Sequence, residues 1–204
     1  MHKHLTHSAL ALLIVFGSIG TGWTLPQSDR VGLRQIVVTS EQDAVEIRQI
    51  ITDGTPFDAV AAVSSQDAAS AARGGYLGQM SLTDLRPEFR DAVAGLGPGE
   101  ISVTVQVADT YFLFQVVSEI EAQWTDLDEA GARALGQARN EQAIAYFEDA
   151  LLLAETFAPD SPQLLRSLDS LATVYRIEDR YVNAEALYRR ALDLVEALGA
   201  SDLE

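Results

Sequence analysis

A small α+β domain followed by an all-α run of helical hairpins is the fold class this sequence predicts, from three observations. Segments rich in Val and Ile with strand-like patterning lie between residues 33 and 117. Beyond Asp126 they give way to Ala, Leu, Glu and Arg in helical periodicity. That second stretch also repeats itself. With 204 residues and 48% hydrophobic content, the chain has material for one ordinary domain or two small ones.

The amino terminus reads as an export signal. Met1 to Ser8 carries Lys3 with His2, His4 and His7, and Ala9 to Ile19 is an apolar run ended by small and turn residues. A bilayer span needs about 20 apolar residues, so this run suits a signal peptide cut near Gly22 to Leu25, with an uncleaved anchor as the alternative. Residues 1–25 are assigned to it. The sequence has no cysteine, which excludes lipoprotein attachment, a disulfide framework and a thiol nucleophile. All three histidines fall in the export segment. A processed chain therefore has no histidine for a catalytic triad and no His/Cys zinc site, and neither cofactor nor metal is expected.

Leu33 to Val38 reads as a β-branched strand. Thr39 or Ser40 caps the next helix, and Ser40 with Asp43 fits a capping box. Val45, Ile47, Ile50 and Ile51 give that helix an apolar face until Gly54 ends it. Pro56 to Ala61 is a second, shorter helix, and Ser64 to Ala72 a loop of small residues. In Arg73-Gly74-Gly75-Tyr76-Leu77-Gly78-Gln79-Met80 the glycines imply a tight bend and a close backbone approach. Pro87 suits the first turn of a third helix, from about Arg86 to Gly95. Gly97-Pro98-Gly99-Glu100 turns sharply into a strand in which Ile101, Val103, Val105 and Val107 alternate. Ala108-Asp109-Thr110 is the hairpin loop, and Tyr111 to Val117 returns. Residues 30–120 form the α+β unit.

The ordered set G-G-x-L-G, P-E-F and G-P-G-E-I, spread over Leu33 to Val117, resembles the parvulin (PpiC/rotamase) family of peptidyl-prolyl isomerases. The resemblance implies a parvulin-like fold with an apolar proline pocket at Leu77, Leu85 and Phe89. Leu85 and Phe89 are spaced to share one helix face. Gln35 stands where the family carries its first-strand histidine, and Phe112 where it carries the second. The family's Cys/Asp position falls on Asp67 or Ala68, and its Ser/Thr partners are replaced by Val107 and Asp109. Gln35, Asp67 and Phe112 are thus the candidate catalytic positions. Rotation about X-Pro meets a barrier of about 18–20 kcal/mol, lowered by gripping proline in an apolar pocket and stabilising the twisted amide. Gripping depends on area removed from water and survives these replacements. Orienting the amide needs polar groups, which Gln35 supplies and Phe112 does not. The implied function is an exported folding factor with weak or residual isomerase activity on proline-containing or hydrophobic segments. The alternative is a non-catalytic chaperone or scaffold using the groove and the helices.

Glu119 to Thr125 reads as a linker, and residues 126–204 form the second unit. Ala143, Phe147 and Ala150 recur as Ala184, Tyr188 and Ala191, each 41 residues on. Small, aromatic, small at four and three residues is what close helix packing requires. The pattern resembles tetratricopeptide repeats in the longer form of kinesin light chains. Leu171, Ala172 and Tyr175 supply the first helix of the second repeat. The earlier repeat opens with Leu127 to Ala138, with Gly131 in register, and Asp160-Ser161-Pro162 marks the junction. Two repeats leave a face to pack on the first domain, another copy or a partner. The formal net charge of −16 repels phosphate backbones, so no nucleic acid is expected. The expected partners are unfolded or extended polypeptide segments and a protein held by the helices, with a membrane only if the amino-terminal segment is kept. A periplasmic or otherwise exported location follows from signal and resemblance together.

Overall fold

The computed structural model describes the backbone of residues 30–201 and the side chains to residue 197. The amino-terminal run read as an export signal lies outside the described residues. Strand β1 (Arg30–Val38) leads into α1 (Glu41–Thr52), α2 (Phe57–Ser64) and α3 (Ala68–Ala71), then β2 (Tyr76–Ser81) and α4 (Pro87–Val93). A hairpin of β3 (Val105–Val107) and β4 (Thr110–Val117) closes the sheet. Four helices follow: α5 (Glu119–Gly136), α6 (Asn140–Ala154), α7 (Pro162–Ile177) and α8 (Tyr181–Ser201). The sheet is antiparallel, in the order β2-β1-β4-β3. Ser40 caps α1 as its sequence implies, accepting from the Asp43 amide at 3.3 Å.

β1 and β4 are central, so both of their faces are covered. One face, through Ile36, Val38 and Leu113, packs on Ala44 and Ile47 of α1 and on Phe57, Val60 and Ala61 of α2. The other, through Leu33, Phe114 and Val116, packs on Val93 of α4. Period-two alternation decides this split.

Several elements depart from the sequence reading. The buried face of α1 is Ala44 and Ile47, with Ile51 beside them, whereas Val45 and Ile50 are exposed. A 3–4 spacing from Ala44 selects the sheet-facing stripe, and the bulkier residues flank it. The loop at Ser64 to Ala72 contains the single turn α3. The glycine stretch runs straight into the edge strand β2, which its glycine, glutamine and serine disguise. Between Ile101 and Val107 only Val105–Val107 forms a ladder, and Ile101 makes an isolated bridge to Gln115. Ser102 interrupts the pairing: its hydroxyl accepts from the Phe114 amide at 3.0 Å, beside a backbone bond from Ser102 N to the Phe114 carbonyl. The hairpin turns on Ala108 and Asp109, with Ala108 left-handed, and Thr110 already pairs with Val107.

The largest departure is at Glu119 to Thr125, which is the first part of α5 rather than a linker. Ser118 caps it, accepting from the Glu121 amide at 3.2 Å, and Glu119 and Glu121 favour the positive end of the helix dipole. Ala122, Trp124 and Thr125 are buried. A Cβ added at Gly32 of β1 would lie 2.9 Å from the Ala122 Cβ, so helix and strand touch directly.

The helical half packs as its repeat requires. Ala143 and Phe147 of α6 join Leu171, Val174 and Tyr175 of α7 and Ala184 of α8 in one core. A Cβ at Gly131 would sit 2.6 Å from the Phe147 ring, so this glycine is the socket for the aromatic. Ser161 caps α7 with Pro162 in its first turn.

Candidate functional site

Gln35 lies between Leu33 and Val37 along β1 and so shares their face of the sheet. Across the ladder it is opposite Phe114, and Val37 is opposite Phe112. Two unlike regions meet on this face.

The first is a polar knot. Gln35 Nε2 donates to Asp67 Oδ2 at 2.8 Å, and the buried Ser70 hydroxyl donates to the same oxygen at 2.6 Å. Gln35 Nε2 also reaches Ser70 Oγ at 3.4 Å. Backbone bonds fix the three together: Gln35 N donates to the Gly75 carbonyl at 2.8 Å, and Gly75 N donates to the Ser70 carbonyl at 2.7 Å. Gly75 has φ +82°, and a Cβ there would lie 2.5 Å from the Gln35 carbonyl oxygen. Only glycine fits that approach. The Ser70 hydroxyl holds the Asp67 carboxyl below its ordinary value, against a smaller opposing effect of burial and with help from Gln35. Asp67 is therefore an anion whose main donors are already in place.

The second region is aromatic. The Phe89 ring lies 4.9 Å from Phe112 and 5.0 Å from Phe114, both tilted, while Phe112 and Phe114 stack at 6.2 Å. Such pairs contribute about 0.5–1.5 kcal/mol each beyond the area they bury. Leu77, Met80, Leu82 and Leu85 join the same cluster, half-buried. The Arg86 guanidinium stands 5.6 Å from the Phe89 ring centre at the solvent rim.

The fold thus brings Gln35 to Asp67, and it gathers Leu77, Leu85, Phe89 and Phe112 into one apolar cluster. Phe112 belongs with the aromatic rings and not with the polar knot. Sequence reasoning missed Ser70 and Phe114. The three-residue spacing of Asp67 and Ser70 across one helical turn, and the alternation of Phe112 with Phe114, were the signals available for them. Among the described residues no group of His, Cys, Asp and Glu is placed to hold a metal ion. The arrangement can hold an apolar segment against the half-buried Phe89 and Phe112 rings, which rest on the buried Phe114, and place a fixed amide and carboxylate beside it.

The opposite face of the sheet, where Tyr76 stands across from Arg34, is tied to the helical half. The buried Tyr76 hydroxyl lies 3.1 Å from Asp126 Oδ1 and 3.2 Å from the Ala122 carbonyl of α5. Burial and the neighbouring Asp126 carboxylate push its pKa well above the ordinary tyrosine value. Arg73 binds Glu129 of α5 through two bonds of 2.6 and 2.7 Å.

Comparison with known proteins agrees with this architecture. The family model described as PPIC-type PPIASE domain (rotamase) matches residues 35–118, and the tetratricopeptide repeat model matches residues 127–197. Chaperone SurA of Nitrosospira multiformis is 39% identical over 98 residues, 44% of this chain and 22% of that protein. Foldase protein PrsA of Oceanobacillus iheyensis is 38% identical over 80 residues, 39% of this chain and 27% of that protein. The chain spans about a quarter of the length of these curated relatives. The solution structure of NmPin, the parvulin of Nitrosopumilus maritimus, is similar over 45% of this chain and 98% of that one, at 25% identity and a TM-score of 0.41.

Proposed function

We propose, from a chain that carries a PPIC-type isomerase domain followed by tetratricopeptide repeats, that this protein is an exported folding factor. Its groove binds proline-containing or hydrophobic segments of extended polypeptide, and its isomerase activity is weak or residual. The observation that carries the reading is the aromatic cluster of Phe89, Phe112 and Phe114 beside the Gln35–Asp67–Ser70 knot. Proline packs on Phe89 and Phe112 together with Leu77 and Leu85, and the strength of that grip follows the apolar area covered. Gln35, held by Asp67, is the polar group available to the rotating amide. Phe112 adds grip where the family's histidine would add a second polar group. The relatives named as a chaperone and a foldase support the folding-factor role, and the exported location rests on the apolar amino-terminal run. The repeats supply the surface for a protein partner.

A second reading, a binding module without catalysis, is favoured by Phe112, which removes polar contact from one side of the amide. Cis-to-trans isomerisation of a short X-Pro peptide separates the two. Under the first reading the wild-type chain accelerates it, Phe89→Ala abolishes the acceleration, and Gln35→His with Phe112→His increases it. Saturable binding of the same peptide without acceleration establishes the second. Absence of both binding and acceleration overturns the groove altogether.

A further inference from the structure

The turn that carries the polar knot has little of its own to hold it in place. From Asp67 to Gly75 it reads D-A-A-S-A-A-R-G-G, so alanine is its largest apolar side chain. Its helix α3 is a single turn with Ser70 and Ala71 buried, and one helical turn is marginal in isolation. Main-chain bonds tie its two ends to β1. Gln66 N donates to the Val37 carbonyl at 2.8 Å, and the Gly75 carbonyl accepts from Gln35 N at 2.8 Å. Such bonds run in the plane of the sheet, so the turn follows the strand edge with access to both faces. Asp67 and Ser70 reach Gln35 on the groove face. Arg73 reaches α5 on the other.

Arg73 is the one long side chain of the turn, and its partner comes from the repeats. Its Nε and Nη2 donate to the two oxygens of Glu129 at 2.6 and 2.7 Å, a two-pronged pair that fixes direction as well as distance. The Glu129 side chain is only 17% exposed, so the pair is partly shielded from water. The guanidinium also lies 5.4 Å from the ring centre of Tyr76, which is itself bonded to α5. One helical turn separates Arg73 from the knot. Arg73 N donates to the Ser70 carbonyl at 2.9 Å, and the same carbonyl accepts from Gly75 N at 2.7 Å. An unbroken line of bonds therefore runs from Glu129 through Arg73 and Ser70 to Asp67 and the Gln35 amide.

We propose that Arg73 and Glu129 are a positioning pair, through which the repeat half sets the place of Ser70 and Asp67 and so the direction in which Gln35 presents its amide to the groove. The use made of Gln35 rests on the groove reading above. Beyond that reading, the first repeat helix becomes part of the site's framework as well as a surface for a partner. Neither residue of the pair touches the bound segment. Their influence is geometric, and a misplacement of about 1 Å in a reacting group is enough to cost up to a hundredfold in rate.

The test uses the full chain with Glu129→Gln and with Arg73→Lys, two changes that keep side-chain length and break the two-pronged pair. Carbon-detected NMR follows the Asp67 carboxyl. Loss of a neighbouring negative charge in Glu129→Gln would by itself lower a carboxyl pKa, whereas loss of the Ser70 bond raises it, so direction separates positioning from plain electrostatics. Arg73→Lys keeps the cation, so a rise there is not the loss of a positive charge. Both variants should move Asp67 up toward its ordinary value. Glu121→Gln is the comparison: it breaks another ion pair between sheet and α5, with Arg34 at 2.9 Å, away from the turn, and should not raise Asp67. In the X-Pro assay Glu129→Gln should lower kcat about tenfold with KM unchanged, because the Phe89 and Phe112 rings are undisturbed. An Asp67 carboxyl that stays or falls in either variant, an equal rise in Glu121→Gln, or a loss expressed in KM alone would overturn the proposal. A parent chain that does not accelerate the peptide counts against the isomerase reading instead, and the Asp67 titration still decides whether the pair holds the knot.

Discussion

At Gly75 in the sheet half and at Gly131 in the helical half a side chain would collide, but with different things. A Cβ at Gly75 would meet the backbone oxygen of Gln35 at 2.5 Å, in a residue already at φ +82°. A Cβ at Gly131 would meet the ring of Phe147 at 2.6 Å, with ordinary helical backbone around it. The sheet half therefore fixes its site through backbone geometry, which cannot repack. The helical half fixes its pairs by fitting a large side chain to a small one, which can be relaxed in part. What differs is how far each region tolerates change.

Substitutions at the two glycines put that contrast at risk. Gly75→Ala should cost about 3 kcal/mol, since strain and backbone overlap act together, and should separate Gln35 from Asp67. Gly131→Ala should cost about 2 kcal/mol through overpacking alone and leave peptide binding in the groove intact. Denaturant midpoints read both, and equal costs would erase the distinction. Ser70→Ala sharpens it within the sheet half. Removing one buried hydroxyl should cost about 1 kcal/mol, and the Asp67 carboxyl should titrate nearer its ordinary value in a carbon-detected NMR titration. Because the folded-state value is depressed, the stability from Asp67 is present above the ordinary carboxylate range and is lost as pH falls through the folded value. Ser70→Ala should therefore flatten the acid limb of stability against pH.

The smallest effect concerns the helical half. Burial, with the Glu148 carboxylate accepting at 2.7 Å, pushes the Tyr175 pKa up to about 12. An unfolded tyrosine ionises near 10. Its contribution is therefore complete below about pH 10 and is lost as pH rises through about 12. Tyr175→Phe should lose less stability than the parent over that interval in an alkaline unfolding series.

The legibility of the sequence follows the same division. The repeat could be read directly because Ala143, Phe147 and Ala150 announce packing by size alone, and their counterparts at Ala184, Tyr188 and Ala191 confirm the period. That Leu77, Leu85 and Phe89 gather in one apolar cluster was within reach through motif order. The register that sets Phe114 opposite Gln35 belongs to the strand pairing. Ser70 was hidden in a run of small residues, where its three-residue spacing from Asp67 was the local signal and the burial of its hydroxyl left none. Glu119 to Thr125 misled because a polar segment at a change of composition looks like a connector. Its buried Ala122, Trp124 and Thr125 only acquire meaning once β1 lies against them.

That helix has a thermodynamic corollary. A connector lets neighbouring units lose their structure one at a time, with separate midpoints. Here one continuous rod contributes Ala122 to the sheet side and Trp124 and Ala134 to the helical cores, and Arg73, Tyr76 and Gln79 are bonded to it. Melting either half strips the rod of one wall. Heat or denaturant should therefore take sheet and repeats down in a single cooperative step, and a cut at residue 126 would leave two fragments, neither with a complete core.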